Sequence, residues 1–333
     1  MPALAVLGPV WREYLLPYQG RPVLDVPGGP ALYAAVGAAL WEPDLGLVAR
    51  LAPDFPKAWL ARLRAVGWNT EGLRYTDQTV EGRRVFAYPR QGRADAPALA
   101  PLFARRGLPL PPELLDYTPP PQKPPSRTRP GPLTLRAGDL PAWLAEARAA
   151  VFAPHDFLTH WLVPAEARRR GPQHIVIDPE PGYMRPAFRE DLRGVLLDAT
   201  AFTPAEEEVR ELFAGQTDDL WQMAEALAAW GAEIVVIKRG PEGAWVYDAR
   251  GRRRWMVPAY PARVHDPTGV GAAFAGGFAA GFLHTYDPLE AALYGSVSAS
   301  FVLETSGALN ALAPLEGLPQ ARLQRLRAGV RQV

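Results

Sequence analysis

Hydrophobic positions along this chain follow two rhythms that take turns. Ala3 to Gly8, Leu45 to Leu51, Ala149 to Ala153, His174 to Asp178, Val195 to Asp198 and Glu233 to Lys238 are short apolar runs of strand length. Ala244 to Asp248 and Arg254 to Pro258 read as two more strands, after a turn at Gly240-Pro241-Glu242-Gly243. Gly72 to Ala87 alternates loosely and predicts one or two strands. Between these runs the period is helical. Ala31 to Trp41 carries no charge, is rich in Ala and follows Gly28-Gly29-Pro30, which predicts a buried helix opening from a glycine turn. Trp59, Leu60, Leu63 and Val66 share one face of a helix over Lys57 to Val66. Leu140 to Arg148, Pro164 to Arg170, Pro204 to Phe213, Leu220 to Trp230, Leu289 to Leu303 and Pro319 to Arg327 complete the helices, with Thr203 and Glu206 placed as a capping box.

Strands alternating with helices predict an α/β fold: a doubly wound, mostly parallel sheet with helices on both faces. Ligands in such folds sit beyond the carboxyl ends of the strands. The loops to watch are therefore Gly28-Gly29, Asp178, Lys238 to Gly243 and Asp266 to Gly271. One stretch breaks the pattern. Thirteen prolines fall between Pro89 and Pro132, which predicts an irregular surface segment.

Composition narrows the function. With 36 Lys and Arg against 35 Asp and Glu, the formal net charge is +1, which argues against a nucleic-acid binder. The chain has no Cys, which excludes disulfides, thiolate metal sites and a cysteine nucleophile. Its five His residues show no metal-ligand spacing. The longest uncharged apolar run, Pro267 to Leu283, is too short and glycine-rich to span a membrane, and Met1 to Leu16 does not read as a signal peptide. The expectation is a cytoplasmic protein of one domain over residues 1–333. Three Lys, two Asn and 37 Pro fit either a heat-adapted protein or a GC-rich genome.

The sharpest chemical signal is Asp266-Pro267-Thr268-Gly269-Val270-Gly271-Ala272-Ala273-Phe274. Two glycines one residue apart precede a helix of small apolar residues. The N–H groups of Gly269, Val270 and Gly271 then point into one concavity at a helix N-terminus, where phosphate oxygens or developing negative charge are held. Close packing of the helix also demands small residues, and the two readings are compatible.

This segment resembles the signature of the PfkB, or ribokinase-like, family of small-molecule kinases, which runs Asp-x-Thr-Gly-Ala-Gly-Asp-Ala-Phe. Asp266, Thr268, Gly269, Gly271, Ala273 and Phe274 fit it. Gly28-Gly29, Leu47 to Phe55, Asp178-Pro179, Pro204 to Val209 and Lys238 to Gly243 resemble further family landmarks in family order, so the resemblance covers roughly residues 3 to 310 outside the proline-rich stretch. It implies a ribokinase-like fold with a small β lid from about 9–26 and 72–90. It also implies transfer of a phosphoryl group from MgATP to a hydroxyl of a small polyhydroxy substrate: a sugar, cyclitol or nucleoside. Gly269, Val270 and Gly271 would form the anion hole; Lys238, Gly240, Gly243 and Thr268 would lie along the nucleotide. Glu13, Gly28, Gly29, Tyr33 and Asp266 would face the substrate, Glu208 would organise water around Mg²⁺, and a homodimer would form through lid strands.

Three positions depart from the pattern. The Asn of Asn-x-x-Glu is Ala205, and an Asn after the glycine pair is Tyr33. The Asp that acts as general base in the family is Ala272, and losing a general base costs about 10²–10⁴ in rate. Three readings of Ala272 stand open here. The chain is an inactive, ligand-binding or regulatory descendant; or its base comes from elsewhere, such as Asp266, Asp178 or water; or the substitution was made to trap a complex.

Overall fold

The structure, a computed structural model, describes residues 1–17, 19–88, 99–120 and 125–333. Its elements alternate as the hydrophobic pattern predicts. β1 (Leu4–Leu7) opens the main sheet, and the chain then leaves for a hairpin of β2 (Trp11–Leu16) and β3 (Val23–Gly28). It returns through α1 (Pro30–Ala39), β4 (Leu45–Leu51), α2 (Lys57–Ala65) and β5 (Asn69–Tyr75). β6 (Arg83–Ala87) rejoins the hairpin, and α3 (Leu99–Ala104) follows. The next run is β7 (Ala149–Phe152), α4 (Phe157–Arg170), β8 (His174–Ile177), α5 (Arg189–Leu196) and β9 (Ala201–Phe202). Then come α6 (Glu206–Leu212), α7 (Leu220–Ala229), β10 (Ile234–Lys238), β11 (Ala244–Asp248) and β12 (Arg253–Val257). The chain finishes with α8 (Val270–Thr285), α9 (Pro288–Leu303), α10 (Leu318–Arg327) and β13 (Arg331–Gln332).

The main sheet runs β13-β12-β11-β10-β9-β8-β7-β1-β4-β5 among the described residues. Pairing is parallel from β5 through β10 and antiparallel from β10 to β13. The chain builds outward from β1 through β4 to β5, then in the other direction from β7 through β8 and β9 to β10. That reversal between β1 and β7 is where an open α/β sheet leaves a crevice for ligands. Alternate residues of the central strands feed two cores. Ala149 and Val151 face a cluster with α1, α8 and α9, whereas Ala150 and Phe152 face one with α4, α5 and α7.

α8 is buried from Ala272 to Leu283 without a polar face, and this explains its small residues. A Cβ at Gly37 would strike the backbone of Ala273, and one at Gly276 the backbone of Ala34, so α1 and α8 pack backbone to backbone. On the other side, a Cβ at Gly277 would strike Ser298 of α9.

Several boundaries differ from the expectation. Val195 to Asp198 is not a strand: Leu192, Val195 and Leu196 are the buried face of α5, a helical spacing that a four-residue window does not reveal. The strand comes later, as the two residues of β9. α4 starts at Phe157, ahead of Pro164, because Asp156 caps it by accepting the Thr159 N–H at 3.1 Å. Leu140 to Arg148 contains only a 3₁₀ turn over Ala142–Glu146. α6 is capped at Ala205 rather than Thr203, and Glu208, not Glu206, closes back on the cap.

β2, β3 and β6 form the lid, a separate three-stranded sheet. The lid is narrower than 72–90 implies, because 69–75 is β5, an edge of the main sheet. Of that range, 89–90 lie outside the described residues, as does Tyr18 in the first lid segment. Alternation along β2 divides the lid into two faces. Trp11 and Glu13 point to the site, and Tyr14 and Leu16 join Ala87, Leu102, Phe103 and Leu114 in a separate small core. Part of the proline-rich stretch therefore has an ordered role. Residues 99–117 pack on the outer face of the lid, pinned by Arg83 to Asp116 at 2.7 Å and by Arg106 to the Pro17 carbonyl at 2.6 Å. Positions 89–98 and 121–124, with Pro89 and Pro121, lie outside the described residues.

This cover competes with the expected pairing of two chains through lid strands. The expected mass by light scattering is therefore that of one 36.4 kDa chain. A concentration-independent dimer would show that pairing uses another surface or displaces residues 99–117.

Candidate functional site

The loop before α8 lies beyond the carboxyl ends of the parallel strands, and its shape is set by backbone and by Asp266. Asp266 is 1% exposed. One of its oxygens accepts the Thr268 N–H at 2.9 Å and the other accepts the Ser306 hydroxyl at 2.5 Å. The His265 and Asp266 N–H groups both donate to the Leu303 carbonyl, which ties the loop to the end of α9. Gly269 is the N-cap of α8 with φ of 76°, a left-handed value that glycine adopts without strain. The first N–H groups of α8 lack intrahelical acceptors, the Val270 N–H meeting the Pro267 carbonyl at 3.4 Å, and they carry the positive end of the helix dipole, an arrangement suited to an anion.

Two different side chains flank these groups. A Cβ on Gly269 would collide with the Tyr33 ring, whereas a Cβ on Gly271 would lie 3.2 Å from Lys238 Nζ. The loop is thus bracketed by a phenol at one end and an ammonium at the other.

At the Lys238 end, β10 delivers the lysine from its last residue, and Lys238 Nζ meets Asp178 Oδ1 at 2.5 Å. Thr203 donates to the same oxygen at 3.2 Å, and Asp178 Oδ2 is buried without a partner among the described residues. Burial raises the Asp178 carboxyl above its ordinary value against the pull of Lys238. Glu208 is pushed up to about 8, first by burial and then by the like charge of Asp178, with Lys238 opposing. Its Oε2 accepts the Ala205 N–H at 2.7 Å. Two acids that are both costly to ionise here, one with an orphaned oxygen, form a donor set suited to a hydrated cation. Among the described residues no group of three or more His, Asp or Glu side chains forms a ready-made metal cage.

The Tyr33 end is built around Glu13, which is 1% exposed. Glu13 Oε1 accepts from Trp11 Nε1 and from the Gly29 N–H, both at 2.8 Å, and Oε2 accepts the Tyr33 hydroxyl at 2.8 Å. Burial pushes the Glu13 carboxyl up to about 7 against these three hydrogen bonds. A Cβ at Gly28 would strike the Glu13 carboxyl, and one at Gly29 would approach the Pro9 carbonyl. The glycine pair was expected to make room for substrate; in this structure it makes room for Glu13 and the β1–β2 turn.

The remaining expected residues divide. Thr268 sits on the loop, and its hydroxyl donates to Tyr88 Oη at 2.9 Å, which fastens the lid to the loop. Gly240 has φ of 53° and faces open space, in keeping with a role beside a ligand. Gly243 is a packing glycine, because a Cβ there would strike the Val257 carbonyl of β12. Glu206 pairs with Arg239 and Arg210, each at 2.7 Å, and is a helix-end acid rather than a metal ligand. His265 packs under Gly20 at the lid turn. Ala272 is 5% exposed and lies in the first turn of α8, so no carboxylate stands at that position. Trp11, Tyr88 and Ser306 are parts of the site that the motif reading left out. Only the alternation along β2 pointed to Trp11, since it shares a face with Glu13.

The description "pfkB family carbohydrate kinase" matches residues 158–314, which contain Asp178, Glu208, Lys238 and the whole anion loop. A cytidine kinase from Thermococcus kodakarensis is 30% identical over 285 residues, spanning 84% of this chain and 88% of that protein. The chain belongs to the pfkB family of carbohydrate kinases. Solved structures share the fold of this pfkB-family chain at lower identity. Ribokinase II from E. coli in complex with ATP and Mg²⁺ has a TM-score of 0.68 and 17% identity, covering 98% of this chain and 100% of that one. The nucleoside kinase of Burkholderia thailandensis in complex with inosine has a TM-score of 0.68 and 20% identity, covering 98% and 99%. The doubly wound sheet with its lid is therefore the ribokinase-like architecture expected from the sequence. No helix among the described residues is long and apolar enough to cross a membrane.

Proposed function

We propose that this protein transfers the γ-phosphoryl group of ATP to a hydroxyl of a nucleoside. The observation that carries the reading is the match to a cytidine kinase over 88% of that protein's length, joined to an anion loop flanked by Lys238 and a lid acid. In this reading the two ends of the loop have separate duties. The Gly271 end, with Lys238, Asp178 and the open Gly240 turn, takes the donor. The Gly269 end, with Glu13, Tyr33 and the lid, takes the acceptor. The N–H groups of Gly269 to Gly271 and the Lys238 ammonium meet the transferred phosphoryl, where most of the catalytic effect in such reactions arises. Glu208 and Asp178 would hold the hydrated Mg²⁺ that accompanies ATP; when bound, that ion neutralises phosphate charge. The lid excludes water, fastened by Thr268 to Tyr88.

The test is ADP release from MgATP across cytidine, uridine, adenosine, inosine, ribose, fructose and a cyclitol. Turnover with one or more nucleosides and none with the free sugars is expected. Turnover confined to fructose or the cyclitol overturns the nucleoside assignment.

A second reading rests on one observation. Ala272 offers no proton acceptor, and Tyr33 fills the space beside Gly269, as a ligand-binding protein without turnover would permit. Calorimetric binding of ATP and a nucleoside, with no ADP formed by either the natural chain or Ala272→Asp, would favour it.

A further inference from the structure

Transfer to a hydroxyl releases a proton, and residue 272 has no group to take it. The inference that follows rests on the kinase reading above. Among the described residues, four carboxylates stand around the anion loop: Asp266, Asp178, Glu208 and Glu13. Asp266 is locked, with one oxygen on the Thr268 N–H and the other on the Ser306 hydroxyl. Asp178 is bound to Lys238 and Thr203 at the Gly271 end, and Glu208 belongs to the same charge cluster. Among the described carboxylates, Glu13 alone serves the Gly269 end. Its Oε1 takes two N–H donors, whereas among the described residues Oε2 takes a single donor, the Tyr33 hydroxyl, which leaves it room to accept a second.

We propose that Glu13, oriented by Tyr33, is the general base of this enzyme and accepts the proton of the acceptor hydroxyl. The acceptor O–H bond breaks as its oxygen forms the new bond to Pγ. The bond from Pγ to the β–γ bridging oxygen breaks, ADP leaves, and the proton rests on Glu13 Oε2 until it passes to water. Tyr33 is a positioning residue: its ring lies against Gly269 and its hydroxyl holds Glu13 Oε2, so it fixes the acid relative to the anion loop. Gly28 belongs to the same device, because any side chain there would displace the carboxylate.

Burial supports the role, since a carboxyl held near neutrality both accepts and releases a proton at working pH. The groups that face it set the sign. Asp266 across the loop pushes the Glu13 carboxyl up, and the N–H donors of Trp11 and Gly29 with the Tyr33 hydroxyl pull it down. Arg84 of β6, stacked 4.7 Å over Trp11, is the nearby cation and attracts its charge. Tyr88 faces Tyr33. Glu13 must be ionised to accept a proton, so kcat should rise with pH through an acidic limb near 7.

The experiment is a kcat and KM profile from about pH 5 to 9, a span set around that limb. It uses the full chain with MgATP and the nucleoside that supports turnover, comparing the natural chain with Glu13→Gln, Glu13→Asp, Tyr33→Phe, Ala272→Asp and the Glu13→Gln/Ala272→Asp double variant. Glu13→Gln should lose about 10²–10⁴ in kcat with KM for ATP unchanged, and should lose the acidic limb. Glu13→Asp should keep the limb at reduced kcat, and Tyr33→Phe should move the limb. The double variant should recover at least about tenfold over Glu13→Gln, a gain that a merely structural or substrate-holding Glu13 would not allow. Natural kcat and limb in Glu13→Gln overturn the proposal. So does a loss confined to the nucleoside KM, or one that Ala272→Asp leaves unrescued. If the natural chain is inert and Ala272→Asp turns over, the kinase reading stands and the Glu13 proposal falls. If neither turns over any substrate, both fall.

Discussion

Lys238→Met is expected to lower kcat by about 10²–10³, the cost of removing one preorganised charge donor from a transferring group. Lys238 is the last residue of β10, its ammonium is fixed by a 2.5 Å contact to Asp178, and it stands beside Gly271. The lysine side chain is 15% exposed and that of its partner 1%, so the pair is neither a surface salt bridge nor free of desolvation cost. Removing the lysine alone leaves Asp178 buried with only Thr203 as donor, and about 3 kcal/mol of stability should be lost. Asp178 already titrates above its ordinary value, so it will take up a proton in the variant and part of the loss will appear only as pH rises. The double variant Asp178→Asn/Lys238→Met should regain most of the stability and none of the activity. Denaturant unfolding and steady-state kinetics on the natural chain, both single variants Lys238→Met and Asp178→Asn, and the double variant separate the two effects. Lys238→Met with unchanged kcat would remove this residue from the transfer step.

Gly269→Ala is expected to disable the site at its other end. The backbone there has φ of 76°, and a left-handed alanine costs about 1–2 kcal/mol. The new methyl also collides with the Tyr33 ring, and overpacking a filled space costs about 1–3 kcal/mol more. Tyr33 is 2% exposed and tied to Glu13, so it has nowhere to move without releasing the acid. Activity should therefore fall with stability, and the loss at Gly269→Ala should be smaller when measured in a Tyr33→Ala background, where the collision is absent, than in the natural chain. Gly271→Ala is the informative contrast. Its methyl would meet only the end of the Lys238 side chain at 3.2 Å, a flexible neighbour, so the protein should fold nearly as well while turnover drops. Thermal unfolding with kinetics on both variants checks the pair. Equal stability losses at 269 and 271 would contradict the bracketed loop.

These two expectations show how unevenly the site could be read from the chain. Asp266-x-Thr268-Gly269-x-Gly271 marked a turn into a small-residue helix, a pattern that close packing and an anion cradle both demand. Lys238 was legible as a residue ending a buried strand, but not its place. Its approach to Gly271 depends on β10 lying two strands from β8, so that Lys238 and Asp178 end on one side of the sheet. Glu13 was placed on the substrate side by family position. Nothing local revealed that Tyr33, twenty residues away, would close on it.

The sequence by itself determined the alternation of strands and helices, the loops at the carboxyl ends, the glycines ahead of a small-residue helix and the absence of a carboxylate from residue 272. Each of these is a local property: a period, a spacing or the identity of one residue. Tertiary structure decided the rest. Leu192, Val195 and Leu196 became a helix face rather than a strand because the core they meet lies on one side. Gly28 and Gly269 turned out to be reserved for Glu13 and Tyr33, since what fills the space of a missing Cβ comes from another element. Residues 99–117, which composition marked as irregular, cover the lid because the apolar face of β2 and β6 would otherwise meet water. A pattern fixes which residues seek burial; only the packed chain fixes which partners they find.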